Sequence, residues 1–464
     1  MLKLLGIKRI FTFCCILIAI SCSRSQENND TKALIITNVN LIDVIKGEVV
    51  ENLHVVIDSG KIKSITSNIE NIGDFSIKID GRDKFLMPGL AEMHAHIPQS
   101  PTSMERTEEV LFLYLSNGIT TIRGMLGHPS HLQLRQKANN GEILSPRIFT
   151  SSPSLNGNSV TSKEEAIEKV SAYHKEGFDF LKIHPGIQLD VFNQIVETAN
   201  EVGIDFSGHV PVNVGIRHAL KSKYASIDHV DGFLEGLVSE TLDLDASANG
   251  FFGYNFTPFA DISKIDELVQ LAKENEVWIV STQSLFTRWF APVSTAELLT
   301  QPEMKYMRPA TLENWKRRKN ESIASSTGFK EAQWKQFDAI RKLLIKKLQD
   351  GGHGMLLGSD APQLFNVPGF SIHHEMDALK EAGLSPLEII RSGTINPAIY
   401  FGMEDVFGSI KEGLDADLVL VDANPLMDIK ALQRISGVMI KGNWLSKETI
   451  SKKLDTIAQN AIKN

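Results

Sequence analysis

His94, His96, Lys182, His209, His229 and Asp360 are residues of metal-ligand type, and each stands at or near the end of a short apolar run that reads as a β-strand. Helical patterns separate these runs. Ligands collected in that way from distant stretches of chain imply one shared rim. The densest stretch is Met87 to His96, which reads MPGLAEMHAH. Alternate residues of a strand face the same side, so Leu90, Glu92, His94 and His96 point one way. Two histidines at that spacing can reach one ion through neutral imidazole nitrogens. Lys182 lies inside the apolar run FLKIH (180–184). A lysine is rarely buried unless paired, and burial favours the neutral amine, which can react with carbon dioxide. The alternative is a lysine that bonds a carboxylate inside the fold. His184, two residues further on the same strand face, should also reach the rim and touch a substrate. Arg123 ends another run, where it binds a substrate carboxylate through a bidentate fork or forms a structural ion pair.

The elements that must position these residues alternate between strand and helix from about 86 to 400. Candidate strands are Phe85–His96, Ile119–Arg123, Arg147–Ser151, Phe178–His184, Ile204–His209, Ser226–His229, Val277–Ser281 and Met355–Asp360. The spacers carry helical periodicity, as in Val191, Phe192, Ile195, Val196 and Ala199 before Gly203. Eight β/α units predict an α/β fold, a (β/α)8 TIM barrel with its working residues at the C-terminal strand ends. The barrel is expected over 87–400. The spacer 285–350 is too long for a simple crossover and reads either as a lid over the site or as a helical pair on the barrel flank. Both ends of the chain are β-rich. Residues 33–86 and 401–447 are expected to pair into one small β-sandwich, with two independent β-caps as the alternative, and 448–464 form a C-terminal tail or helix.

The chain has 464 residues, enough for a large domain plus an accessory one. Its formal charge of −8 argues against nucleic acid as a partner and does not suit a strongly anionic polymer. Lys3, Lys8 and Arg9 precede the apolar stretch Ile10–Ile20, which is too short to span a bilayer at about 20 residues. The run then ends Ile18-Ala19-Ile20-Ser21-Cys22, so 1–21 reads as a bacterial lipoprotein signal peptide with Cys22 lipidated, or else as a plain secretory signal. Export to the periplasmic or cell-surface side, with membrane contact only through that anchor, is the expectation. Residues 22–32 read as a flexible tether. The three cysteines, Cys14, Cys15 and Cys22, leave the folded part without thiols.

The ordered set of motifs resembles the amidohydrolase superfamily of metal-dependent hydrolases over nearly all of 33–447. It comprises Pro88-Gly-Leu, His94-Ala-His96, the run from Gly118 to Arg123, Lys182, His209, Ser226 to His229, Gly358-Ser-Asp360, Thr394 to Pro397 and Gly413 to Leu420. The imidazolonepropionase-related branch, with the Xaa-Pro dipeptidases, is the most similar. The resemblance implies two divalent metal ions. His94, His96 and Asp360 would hold one and His209 and His229 the other, bridged by an N6-carboxylated Lys182. It further implies attack on an amide-type C–N bond by a metal-bridging hydroxide, with Asp360 taking the proton and passing it to the leaving group. Zinc suits the ligands, and manganese, iron or cobalt are accepted by such sites. The substrate would be a small-molecule amide, dipeptide or cyclic amide. Departures from relatives fall on Gly124, on Leu155 to Asn158 and on His209-Val-Pro211, all substrate-contact positions, so dipeptidase specificity does not carry over. Competing readings are a lactone or ester hydrolase using the same site, a ligand-binding lipoprotein without catalysis, and a one-metal deaminase, which would not need Lys182. A homo-oligomer is compatible with all of them.

Overall fold

The computed structural model describes residues 33–68, 75–242, 244–325 and 331–463. The expectations for the leader, Cys22 and the tether lie outside the described residues. The chain begins with β1 (Leu34–Asp43), β2 (Glu48–Asp58), β3 (Lys61–Thr66), β4 (Ile77–Asp80) and β5 (Phe85–Pro88). Eight barrel strands follow: β6 (Leu90–Ala95), β7 (Ile119–Gly124), β8 (Arg147–Leu155), β9 (Phe180–Ile183), β10 (Phe206–Gly208), β11 (Ser226–Asp228), β12 (Trp278–Val280) and β13 (Gly354–Leu356). The chain returns through β14 (Leu418–Val421), β15 (Ile435–Ile440) and β16 (Asn443–Ser446), and ends in the helix Lys447–Lys463.

The barrel strands pair in parallel and in sequence order from β6 to β13. Closure runs through backbone bonds between β6 and the segment after β13. Met93 N–H donates to Leu357 O (2.8 Å), Asp360 N–H to His94 O (3.0 Å) and His96 N–H to Ala361 O (2.8 Å). Three of the candidate ligands therefore stand on the seam that shuts the barrel. Each helical spacer buries one stripe against the strands, as with Val191, Phe192, Ile195 and Ala199 on Leu189–Val202. That helix stops at Gly203, whose φ of 75° no β-carbon residue adopts cheaply.

The two chain ends meet in one mixed sheet of order β16-β15-β14-β5-β1-β2-β3, with β4 paired to β1. Leu34, Ile36, Val55, Leu86, Leu418 and Met439, from both ends, share one core. The sheet curls back on itself, since Lys61 bridges Asp415 and the hairpin turns at Gly60 and Gly442 touch. The sandwich is thus one continuous curled sheet. The expected first barrel strand, Phe85–His96, divides at Gly89. Phe85–Pro88 pairs with β14 and β1 in the mixed sheet, and Leu90–Ala95 opens the barrel. A β-carbon at Gly89 would sit 2.1 Å from Thr120 Oγ1, so the chain can change sheets there only through glycine.

The stretch 285–350 is helical. Pro309–Ser325 is followed by Glu331–Gly351, which buries Trp334, Phe337, Leu344 and Leu348. Buried Lys319 pins the first of these helices by donating to the carbonyls of Arg288 (2.6 Å), Trp289 (3.1 Å) and Ala291 (2.9 Å). Among the described residues, no helix is long and apolar enough to cross a membrane.

Candidate metal centre

At the mouth of the barrel a cavity of about 360 Å³ is lined by His94, His96, His184, His209, His229 and Asp360. The i, i+2 spacing on β6 works as the pleat requires. His96 Nε2 lies 2.6 Å and His94 Nε2 3.5 Å from Asp360 Oδ1, so the three residues could hold one ion. His229 Nδ1 stands 3.9 Å from the other Asp360 oxygen, and its ring lies 4.6 Å from those of His94 and His209. Asp360 (φ 63°) and His229 (φ 65°) both hold left-handed backbone, a conformation non-glycine residues keep only where surrounding structure enforces it.

Two of the candidate ligands, His94 and His229, are held as the neutral imidazoles a metal takes. Burial pushes His94 and His229 well below the usual histidine range, reinforced by Lys182 and neighbouring histidines, and burial lowers His184 as well. His94 Nδ1 is buried and makes no hydrogen bond, with Asp228 Oδ2 3.4 Å away. His209 Nδ1 donates to Asp231 Oδ2 (2.9 Å), which fixes the ring so that its other nitrogen is free. Carboxylate-oriented histidine is a common support for metal ligation. His229 Nδ1 lies 2.7 Å from Thr282 Oγ1 and His184 Nδ1 2.8 Å from Ser154 Oγ. The ring of His184 stacks on His209 at 5.0 Å, inside the cavity.

Lys182 is fully buried on β9, with Nζ 2.9 Å from Asp228 Oδ2. Arg123 is fully buried too and does not reach the rim. It donates to Met93 O (2.7 Å), Ser226 Oγ (2.9 Å), Tyr400 OH (2.8 Å) and Asp228 Oδ1 (3.1 Å). Of the two roles open to it, the geometry supports the ion pair. A substrate carboxylate would have to displace partners inside the closed barrel.

Two carboxylates that the sequence reading left unassigned hold the arrangement together. Asp228, wholly buried, receives both Lys182 and Arg123 and stands against His94. Its position two residues after Ser226 on one strand face was the available signal. Asp231 orients His209 and also accepts from Val210 N–H (3.2 Å). On β6 itself, Glu92 accepts from His94 N–H (3.1 Å) and from the N–H (2.7 Å) and hydroxyl (2.6 Å) of Ser359. Burial pushes this carboxyl up to about 8 in spite of those bonds.

Comparison with known proteins fits this geometry. Adenine deaminase of Clostridium botulinum (strain Loch Maree / Type A3) is 22% identical over 425 residues, covering 90% of this chain and 58% of that protein. Ochratoxinase of Aspergillus niger is 24% identical over 260 residues, 54% of this chain and 40% of that protein. The chain thus spans well under two thirds of these relatives. Among solved structures, bottromycin amidohydrolase superposes with a TM-score of 0.69 at 20% identity, covering 92% of this chain and 90% of that one. An Xaa-Pro dipeptidase with bound methionine superposes with a TM-score of 0.62 at 20% identity, covering 89% and 100%. At these identities the likeness is one of fold. The profile described as the amidohydrolase family matches residues 85–445, so the chain belongs to the amidohydrolase family.

Proposed function

We propose that this protein is a binuclear metal-dependent hydrolase that cleaves an amide-type C–N bond in a small-molecule, dipeptide or cyclic-amide substrate. The observation that carries the reading is the convergence of His94, His96, His209, His229 and Asp360 on one cavity, with a buried His94 nitrogen that makes no hydrogen bond. That donor set fits divalent cations. His94, His96 and Asp360 would hold one ion and His209 and His229 the second, with Lys182 in its N6-carboxylated form between them. Zinc is the first candidate, then manganese, iron or cobalt. When bound, such a pair supplies an acidified water as nucleophile and polarises the scissile carbonyl.

The protein's own groups do the rest. Asp360 accepts the proton of the attacking water and hands it to the departing nitrogen. Asp231 and Thr282 hold His209 and His229 in orientation. Carboxylation of Lys182 forms one N–C bond to carbon dioxide, moves a C=O electron pair onto oxygen and releases an amine proton, for which Asp228 Oδ2, 2.9 Å away, is the nearby acceptor. A one-ion site is the second reading. It is favoured by that same Lys182–Asp228 contact, which satisfies the amine without any added carboxyl group.

The test is a panel of neutral amides, dipeptides, lactones and esters, assayed with chelated and metal-reloaded protein beside Asp360→Asn. Amide hydrolysis that depends on metal and falls about 100- to 10,000-fold in the variant is expected. Turnover of lactones or esters without amides would move the assignment to ester chemistry. Ligand binding without any turnover would make the protein a binding protein.

A further inference from the structure

We propose that the substrate carries an uncharged aromatic group beside the scissile bond, gripped by Phe251, Phe252 and Trp289. This rests on the hydrolase reading and names its substrate class. These three side chains form one wall of the ligand-lined cavity. The ring of Phe252 lies 5.9 Å from His209, 5.4 Å from His229 and 4.9 Å from Phe286, so it joins the candidate ligands to the buried core. Phe252 does this from a left-handed backbone (φ 51°, ψ 41°), a strain that makes sense where the ring's direction matters. Phe251 meets Trp289 at 5.4 Å yet keeps 42% of its surface exposed, an aromatic edge left open at the mouth. Val212, on the same cavity, is 37% exposed. Apolar surface held open beside a polar centre fits a flat apolar group of the substrate.

The charge pattern narrows the class further. Among the described residues, no lysine or arginine lines this cavity. Other cations near this wall are committed to protein groups, apart from Arg318, whose guanidinium lies over the ring of Trp289 at 5.6 Å. Arg123 is held by Asp228. Arg341 donates to Gln283, His229 O and Ser281 O, and Arg288 to Gln301 and Phe365 O beside Glu303. Lys319 serves three carbonyls. An adjoining cavity shares Val210 and Val212, and its one arginine, Arg217, is forked onto Glu267 at 2.8 Å on both arms. A free carboxylate entering between Phe252 and His209 would lose its hydration and face Asp231. Asn249 and Gln363 offer neutral groups instead.

Calorimetric titration of metal-free protein tests this without relying on turnover. Three ligands are compared: N-acetylphenylalanine amide, the matching N-acetylphenylalanine carboxylate, and N-acetylalanine amide. The expected result is saturable binding of the aromatic amide, with the carboxylate and the alanine amide each about ten-fold weaker or more. Phe251→Leu and Phe252→Leu should each weaken the aromatic amide about three- to ten-fold. Phe252→Gly, which removes the ring while suiting the left-handed backbone, should do the same and serves if the leucine variant fails to fold. Equal or tighter binding of the carboxylate, equal binding of the alanine amide, or no saturable binding of the aromatic amide overturns the proposal. Aromatic preference without metal-dependent hydrolysis would overturn only the hydrolase reading. Hydrolysis with preference for carboxylates would overturn only this one.

Discussion

Replacing Arg123 by methionine should cost far more than removing a surface arginine, because of what it leaves behind. Asp228 is wholly buried, and Arg123 Nη2 at 3.1 Å is its guanidinium partner. Three further donations, to Met93 O, Ser226 Oγ and Tyr400 OH, vanish with the guanidinium. Breaking a buried pair by removing one partner costs about 3–5 kcal/mol, the larger share being the stranded charge. Asp228→Asn should cost a similar amount, since it leaves the buried Arg123 without its anion. The double change Arg123→Met/Asp228→Asn removes both members and should cost less than the two singles combined, by about 1–3 kcal/mol. Guanidinium unfolding followed by circular dichroism gives the four stabilities of the cycle. Single changes that add to within about 0.5 kcal/mol would refute the view that Asp228 and Arg123 act as one unit beneath the site.

Other consequences follow from the same contacts. Asp231→Ala frees the His209 ring and should weaken metal affinity about 10- to 100-fold with the fold intact, measured by competition with a chromogenic chelator. Lys319→Met leaves the carbonyls of Arg288, Trp289 and Ala291 without their buried donor. Hydrogen exchange of amides in Gln283–Trp289 should accelerate, whereas exchange in the helix Leu189–Val202 should not change. For Asp422, burial works against ionisation, but bonds from Lys84 and Ser436 outweigh it and hold the carboxyl at about 2. A depressed carboxyl contributes stability that is fully present above its unfolded value near 3.8 and is lost as pH falls through about 2. Asp422→Asn should therefore destabilise the chain modestly, by up to about 1 kcal/mol, at pH 5 and much less at pH 2, read from denaturant midpoints at both.

The parts of this protein that were legible in its sequence are those governed by local periodicity. The alternation Glu92, His94, His96 follows from the pleat, and eight β/α units announce a barrel whose strand ends carry the chemistry. Pairing across the chain was harder. The stretch from Phe85 to Ala91 is apolar throughout, and only the approach of Thr120 to Gly89 shows why it must break between two sheets. Arg123, at the end of a strand, is open in the sequence to a rim role or an ion pair, and the structure turns it inward, where Asp228 meets it from another strand. Asp228 and Asp231 went unassigned because adjacency to His229 says nothing of which histidine or lysine each would meet. The stretch 285–350 was visibly too long for a crossover. That its start would wall the cavity with Leu285 and Trp289 depends on carbonyls gathered by Lys319, a contact no periodicity encodes.

The most direct test of the central claim is the metal content of the purified protein beside Lys182→Ala, both expressed with added zinc and bicarbonate and counted by mass spectrometry. The account predicts about two ions per chain in the parent, with substantial loss in the variant. One ion in both proteins would contradict the bridged pair and leave a mononuclear centre with Lys182 as the partner of Asp228.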